Sequence, residues 1–73
     1  MLPLFKQNKH ELLKSNELLA KLKKAGWYEV RQTGSHKILA NTNFIYTITF
    51  PYHGSKEMKT GTANSILKQA GLK

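Results

Sequence analysis

The apolar pattern of this 73-residue chain changes its period at Gly26, and that change most limits the folds that the chain can adopt. Before Gly26, apolar residues recur at the spacing of one helix face, and Lys23 and Lys24 fall in the last turn, where the helix dipole favours cations. The apolar stripe consists of Leu18, Leu19, Leu22 and Ala25. Glycine readily takes a left-handed backbone, so the segment predicts an amphipathic helix that stops at Gly26.

Three segments after Gly26 have the composition of β-strands, because aromatic and β-branched residues alternate there with polar ones. They are residues 27–33, 36–40 and 44–50. Gly34 and Ser35 separate the first two and predict the tight turn of a hairpin. Residues 41–43 predict a second turn, and Pro51 ends the third strand because proline cannot donate to a paired ladder. One face of the third strand is predicted to carry Phe44, Tyr46, Ile48 and Phe50.

The last segment returns to helical spacing. Its apolar residues are Ala63, Ile66, Leu67 and Ala70. Thr60 or Thr62 is predicted to cap its start, and Gly71 to end it. The order α-β-β-β-α predicts an α+β fold, in which a three-stranded antiparallel sheet carries two helices on one face and leaves the other face wet. Double-stranded-RNA-binding domains (dsRBDs) have this arrangement.

The N-terminal residues have a less regular pattern, and we interpret residues 1–14 as an extension that precedes a domain of residues 15–73. Asn8 and Glu11 have the spacing of a capping box and could begin a helix that continues into the next segment. Alternatively, Ser15 is itself the N-cap, with Glu17 in the first turn. The sequence leaves open whether this region forms one long helix or two short ones.

Composition narrows the chemistry and the partner. The chain has 12 Lys and Arg against 4 Asp and Glu, a formal net charge of +8, which points to a polyanion such as nucleic acid. It has no cysteine, which excludes disulfides and thiolate sites, and no aspartate, so its four scattered glutamates are poorly suited to a two-metal site. No apolar run approaches the roughly 20 residues of a membrane span, and residues 1–6 are too few for a signal peptide. We therefore expect a cytoplasmic protein with no membrane partner.

His36 is the leading candidate among three histidines, the only side chains that titrate near neutral pH. It directly follows Gly34 and Ser35, and a glycine at such a bend lets a large ligand approach the backbone closely. Lys37 beside it and Arg31 on the preceding strand would add positive charge. This arrangement predicts a contact with a phosphate group.

Two interpretations of His36 stay open on the residues alone, since it could instead only pack at the sheet edge. Ile38 and Leu39 are adjacent and both apolar, so the sequence does not decide which of them faces the core. That choice determines how exposed His36 is. His53, in a second basic loop, is a weaker candidate, and His10 lies in the extension.

A second basic cluster precedes the last helix. Lys56 and Lys59 lie in the loop, and the N-terminal amides and dipole of the helix also attract anions. Thr60, Gly61 and Thr62 could surround a phosphate with hydroxyl and N–H donors, or the threonines could serve only as caps. The loop lacks the Gly-Lys-Ser/Thr of a nucleotide-binding P-loop, and the histidines match no recognised zinc spacing.

Five short segments carry a family likeness when they are taken together and in order. They are Leu19-Ala-Lys-Leu-Lys-Lys-Ala-Gly-Trp27, Val30-Arg-Gln-Thr-Gly-Ser-His36, Phe50-Pro-Tyr-His-Gly54, Lys59-Thr-Gly-Thr62 and Ser65-Ile-Leu-Lys-Gln-Ala-Gly71. Over roughly residues 15–73 the chain resembles the HicA toxin family of bacterial toxin–antitoxin systems. The resemblance implies a dsRBD-like fold, a ribonuclease activity that inactivates messenger RNA and arrests translation, and neutralisation by a HicB-like antitoxin.

The resemblance also implies that His36 is the catalytic residue, because it matches the family's catalytic histidine in Gly34-Ser35-His36. The residues that we expect to contact RNA are Arg31, Gly34, Ser35, Lys37, His53, Lys56, Lys59 and Thr60. We expect no metal site and no cofactor, and a monomer when the toxin is free.

Metal-independent RNA cleavage suits a chain without aspartate, because the ribose 2′-hydroxyl is an internal nucleophile close to the scissile phosphorus. An imidazole with the ordinary pKa of about 6.5 can accept that proton at neutral pH. His36 is therefore expected to act as this general base, or as the acid on the 5′-oxygen leaving group. The alternatives are a non-catalytic double-stranded-RNA-binding module of the same fold and a subunit whose basic face docks an acidic partner.

Overall fold

A computed structural model describes residues 13–73 and shows two helices and a three-stranded sheet in the order α-β-β-β-α. The elements are α1 Ser15–Lys24, β1 Tyr28–Thr33, β2 His36–Ala40, β3 Ile48–Pro51 and α2 Thr60–Gln69. The predicted α+β class and element order are confirmed. The capping box predicted from Asn8 and Glu11, and His10, lie outside the described residues.

The sheet is antiparallel, with β2 in the middle and the strand order β1-β2-β3. β1 and β2 form the predicted hairpin, in which Thr33 pairs with His36 across a two-residue loop. A β-bulge between Glu29 and Arg31 inserts Val30 into β1 without a partner on β2. The bulge keeps Arg31 in register with Ile38, so side chains on the two strands still share faces.

One hydrophobic core joins both helices to the same face of the sheet. Its buried members are Leu18, Leu19, Leu22, Trp27, Leu39, Ile48, Phe50, Met58, Ala63, Ile66 and Ala70. The Trp27 indole N–H donates to the Ala70 carbonyl at 3.3 Å, which ties the start of the sheet to the end of α2. Most of the predicted apolar stripes are buried here, but Ala25 is exposed because α1 ends at Lys24.

The third strand is shorter than predicted, since only Ile48–Pro51 pair with β2. Phe44 and Tyr46 do not form a strand; their rings pack against Trp27, with centroid distances of 4.8 and 6.2 Å. The Tyr46 hydroxyl also donates to the Gln69 carbonyl at 2.7 Å. The connection therefore spans residues 41–47, because these aromatic contacts hold the chain away from the ladder.

The predicted helix N-caps are wrong in both helices. Ser15 is the first residue of α1 and Lys14 takes the N-cap position, where its N–H donates to the Glu17 carboxylate at 3.4 Å. Lys59 is the N-cap of α2 and makes no side-chain cap bond, so Thr60 and Thr62 lie inside the helix. In each helix a lysine has the extended backbone of an N-cap, Lys14 before α1 and Lys59 before α2. Ser15 and Thr60 each follow that lysine by one residue, and Thr62 follows it by three, so none of them occupies the cap position.

The predicted C-terminal stops are confirmed, since Gly26 and Gly71 have φ of 102° and 77°. After α1, the N–H groups of Gly26 and Trp27 donate to the carbonyls of Lys23 and Leu22, which is the bond pair of a Schellman motif. Gly71 and Leu72 close α2 in the same way.

Replacing Gly26 with Ala should lower the free energy of unfolding by about 1–2 kcal/mol, because an L side chain is disfavoured at positive φ. The added Cβ would also lie 3.1 Å from the side-chain amide of Asn41, which is buried and bonded to the Ala25 carbonyl. Gly61→Ala is the matched control: nothing lies within 4 Å of its Cβ position, and Ala is the better helix former. Chemical denaturation of the two variants should give effects of opposite sign, and equal effects would contradict the assigned strain.

Candidate active site

The cross-strand register divides the sheet into a core face and an open face. Leu39 pairs with Ile48, and both side chains are fully buried under the helices. Because strand side chains alternate, His36 lies on the opposite face from Leu39, and there it is exposed. This register settles the choice between Ile38 and Leu39 in favour of Leu39 as the core residue. The residues of the open face are Tyr28, Arg31, Thr33, His36, Ile38, Ala40, Thr49 and Pro51.

The turn that carries His36 is tied to the segment after β3. Gly34 has φ of 59° at the first central position of the loop, where a type II′ turn requires glycine. The Tyr52 N–H donates to the Ser35 carbonyl at 2.7 Å, and the Gln32 side-chain amide donates to the Gly34 carbonyl at 2.9 Å. These bonds fix where His36 begins its strand.

His36 lines an open groove of about 410 Å³ between the edge of β3 and α2, which we call the His36 groove. Its other polar side chains are Thr49, Thr62, Ser65 and Gln69. Gly61 and Thr62 belong to the first turn of α2, where backbone N–H groups have no carbonyl within their own helix to bond. The groove thus combines an imidazole, hydroxyl groups and the positive end of a helix dipole, a combination that suits a phosphate group.

A second depression of about 290 Å³, the His53 hollow, adjoins the His36 groove. Pro51 and Thr62 line both, so the two share a wall. His53 and Lys59 lie on the rim of the hollow as exposed side chains. The fold therefore brings two histidines that are far apart in sequence to neighbouring depressions.

The buried side chain of Ser15 fixes the backbone of the segment that contains Pro51 and His53. Its side chain is 1% exposed, and its hydroxyl donates to the Pro51 carbonyl at 3.1 Å and accepts from the His53 N–H at 3.2 Å. The adjacent loop also bonds the start of α1, since the N–H groups of Ser15 and Asn16 donate to the carbonyls of Lys56 and Gly54. Loop carbonyls therefore cap α1 and leave the Ser15 hydroxyl to position the loop.

Lys37 lies on the core face, so the structure separates it from His36. Its ammonium donates to Glu29 at 3.1 Å and to Gln32 at 3.0 Å, and it lies 4.7 Å from the centre of the Tyr52 ring. Lys23 also pairs with Glu29, at 3.0 Å. Hydrogen bonds from Lys23 and then Lys37 lower the pKa of the Glu29 carboxyl below its usual range. Lys37 is thus engaged with other side chains of the protein, and its contact with a phosphate stays a prediction.

The remaining expected RNA contacts lie at different distances from His36. Arg31 lies on the open face, one cross-strand row from His36. Lys59 is the N-cap of α2 and lines the His53 hollow. Thr60 and Lys56 are exposed beside these depressions; in the part of the chain that the structure describes, neither is a lining residue.

Sequence reasoning missed several residues that line the groove. Thr62 was already a candidate phosphate donor, but Ser65 and Gln69, which follow it at three- and four-residue intervals, were missed, although the polar stripe that they form on the last helix was a readable signal for one wall. Thr49 was correctly placed on the face opposite the buried Phe50, but it was not recognised as a groove residue. Ser15 carried no such signal, because its hydroxyl bonds residues that follow it by more than thirty positions.

Within residues 13–73, no three histidine or glutamate side chains converge at a distance that would suit a metal ion. Neither of the two helices in this part of the chain has the length and apolar character needed to cross a bilayer.

A family model described as HicA toxin of bacterial toxin-antitoxin matches residues 15–72. The match covers both helices, all three strands and every residue that lines the His36 groove. No curated protein shows significant sequence similarity to the chain.

Replacing Ser15 with Ala should lower the free energy of unfolding by about 1–3 kcal/mol, because the Pro51 carbonyl and His53 N–H lose a bonding partner. Ser55→Ala, at an exposed position of the same loop, should change it by less than about 0.5 kcal/mol. Denaturant unfolding of both variants measures the difference. Equal stabilities would show that the Ser15 hydroxyl does not hold the loop.

Proposed function

The chain belongs to the HicA family, so it is the toxin of a toxin–antitoxin system with an antitoxin as partner, and we propose that it is an endoribonuclease that cleaves messenger RNA and thereby arrests translation. The observation that carries this proposal is the exposed imidazole of His36 in an open groove, which α2 lines from Gly61 and Thr62 in its first turn to Gln69 at its end. His36 is the proposed catalytic residue.

Charge supports RNA as the substrate. A net charge of +8 draws a polyanion to the surface. The groove is open enough for a backbone phosphate, and donors of α2 line it opposite the sheet. Arg31 lies on the same face as His36 and can hold a neighbouring phosphate through its planar guanidinium.

The proposed reaction is an internal transesterification. The ribose 2′-oxygen attacks the adjacent phosphorus, a new O2′–P bond forms, and the P–O5′ bond breaks. His36 takes the proton from the 2′-hydroxyl as general base, or supplies one to the departing 5′-oxygen as general acid. The hydroxyl and N–H donors around Thr62 and Ser65 would stabilise the additional negative charge on the phosphate oxygens. No step requires a metal ion or a cofactor.

His53 is the candidate for the second proton transfer. It lies across the wall formed by Pro51 and Thr62, and the Ser15 hydroxyl fixes its backbone. A substrate that follows the wall would reach both imidazoles, one on each side of the scissile phosphate. Lys59 and Lys56 would then hold phosphates beyond the cut.

The same geometry supports a proposal for how the antitoxin neutralises the toxin. We expect a HicB-like antitoxin with acidic side chains to cover the groove of a toxin that is monomeric when free in the cytoplasm. Because the partner binds only folded toxin, it also raises the apparent stability of a chain of this size.

The His36→Ala variant should cleave an mRNA transcript about 10²–10⁴-fold more slowly than the wild-type toxin, because one proton transfer is lost. Growth arrest on expression should disappear with it. His36 is exposed, so the unfolding midpoint should stay unchanged and serve as the control for folding. His53→Ala, assayed in parallel, should show a loss of similar size if His53 is the second proton-transfer group.

Full activity of His36→Ala would refute the catalytic assignment. If the wild-type protein retains intact duplex RNA and cleaves no single strand, the chain is instead a binding module.

A single 2′-deoxy substitution on the 5′ side of the cut should block scission there, since the nucleophile is absent. The same RNA without the substitution should be cut equally fast with and without EDTA. Gel analysis of end-labelled RNA measures both results. Cleavage of the deoxy substrate, or loss of cleavage in EDTA, would exclude attack by the 2′-oxygen as proposed.

A further inference from the structure

The open face of the sheet extends away from His36 in cross-strand rows. The first row is Thr33, His36 and Pro51, the second is Arg31, Ile38 and Thr49, and the third holds Tyr28 and Ala40. Successive rows lie two residues apart along β2, about 7 Å. That spacing is comparable with the step between phosphates of an extended single strand.

Tyr28 gives the far row a flat aromatic surface. It is one of the large apolar side chains that stay exposed, with 48% of its surface accessible. Its partner on β2 is Ala40, whose methyl group leaves the ring uncovered from that side. Nucleobases stack on such rings irrespective of their sequence.

The charge of the sheet is arranged unequally between its faces. Glu29 is the only acidic residue of residues 28–51, and it lies on the core face, where Lys23 and Lys37 hold it. Arg31, the only arginine of the chain, lies on the open face between the rows of His36 and Tyr28. The open face is thus positive in the middle and aromatic at its far end.

We propose that this face is a binding track for single-stranded RNA, in which Tyr28 stacks on a base and Arg31 holds a phosphate between that base and the cut. The assignment of the cut to the His36 row rests on the proposed function. The ligand is a single strand because flat stacking on Tyr28 needs an unpaired base, and the track continues directly into the His36 groove.

The track is tested by binding of an RNA of about ten nucleotides whose riboses are 2′-O-methylated, so that it stays intact. Fluorescence anisotropy should show a Kd about 5- to 100-fold higher for Tyr28→Ala. Tyr28→Phe should match the wild type, because stacking needs the ring and not the hydroxyl. Tyr28→Ile, which replaces the ring with another residue of high strand propensity, should repeat the loss seen with Ala and guard against a folding effect.

Base removal locates the stack. When one base at a time is removed from the RNA, removal at one position should raise the Kd of the wild-type protein by the same factor as Tyr28→Ala does. Removal of that base should not raise the Kd of Tyr28→Ala any further. Arg31→Gln should reduce the slope of log Kd against log salt concentration by about one, the change expected for one lost phosphate contact. Lys24→Gln, at an exposed position of α1, should leave that slope unchanged.

An unchanged Kd in both Tyr28→Ala and Tyr28→Ile would refute the RNA-binding track and would favour a protein partner for this face. Weaker binding by Tyr28→Phe overturns the stacking role. The two proposals fail separately: Tyr28-dependent binding without cleavage of unmodified RNA refutes the nuclease alone, and cleavage with Tyr28-independent binding refutes the track alone.

Discussion

Burial of Leu39 is the constraint on which the arrangement of this toxin depends. Leu39 has no exposed surface, and β2 has a neighbour on each side, so its register is held by the core and by two ladders. A slip of one residue would send Leu39 to solvent and turn His36 towards the helices. The Gly34 turn and the bond from Tyr52 to Ser35 act against that slip. The exposure of the imidazole is therefore a consequence of core packing.

The loop after β3 links the two helices through different parts of its backbone. Its carbonyls at Gly54 and Lys56 accept from the first N–H groups of α1, which would otherwise need a side-chain cap. This arrangement releases the Ser15 hydroxyl to hold Pro51 and His53. The start of α2 receives no side-chain cap and borders the groove instead. The first N–H groups of α1 thus bond to loop carbonyls, whereas the N-terminal turn of α2 has no side-chain cap and faces the groove.

The order of elements and most of the core could be predicted from the sequence, because apolar period and glycine position are local signals. Leu18 and Leu22 at helical spacing, and Gly26 after them, required no knowledge of the rest of the chain. The start of β3 could not be predicted, because Phe44 and Tyr46 alternate like a strand but pack on Trp27. Which face His36 occupies was likewise unreadable, since Ile38 and Leu39 are equally apolar and only the tertiary core distinguishes them.

The placement of Lys37 shows how two neighbouring residues of one strand come to lie on opposite faces of the sheet. Lys37 follows His36 in sequence but lies on the other face of the sheet, where Lys23 and Lys37 bond Glu29 and lower the pKa of that carboxyl. The two lysines offset the charge of the one acid of the strands, which lies on the face opposite His36. Were Glu29 on the open face, it would repel each phosphate that approached Arg31. Within residues 28–51 the sheet therefore carries its one acidic side chain on the face that the helices share, and Arg31 on the opposite face.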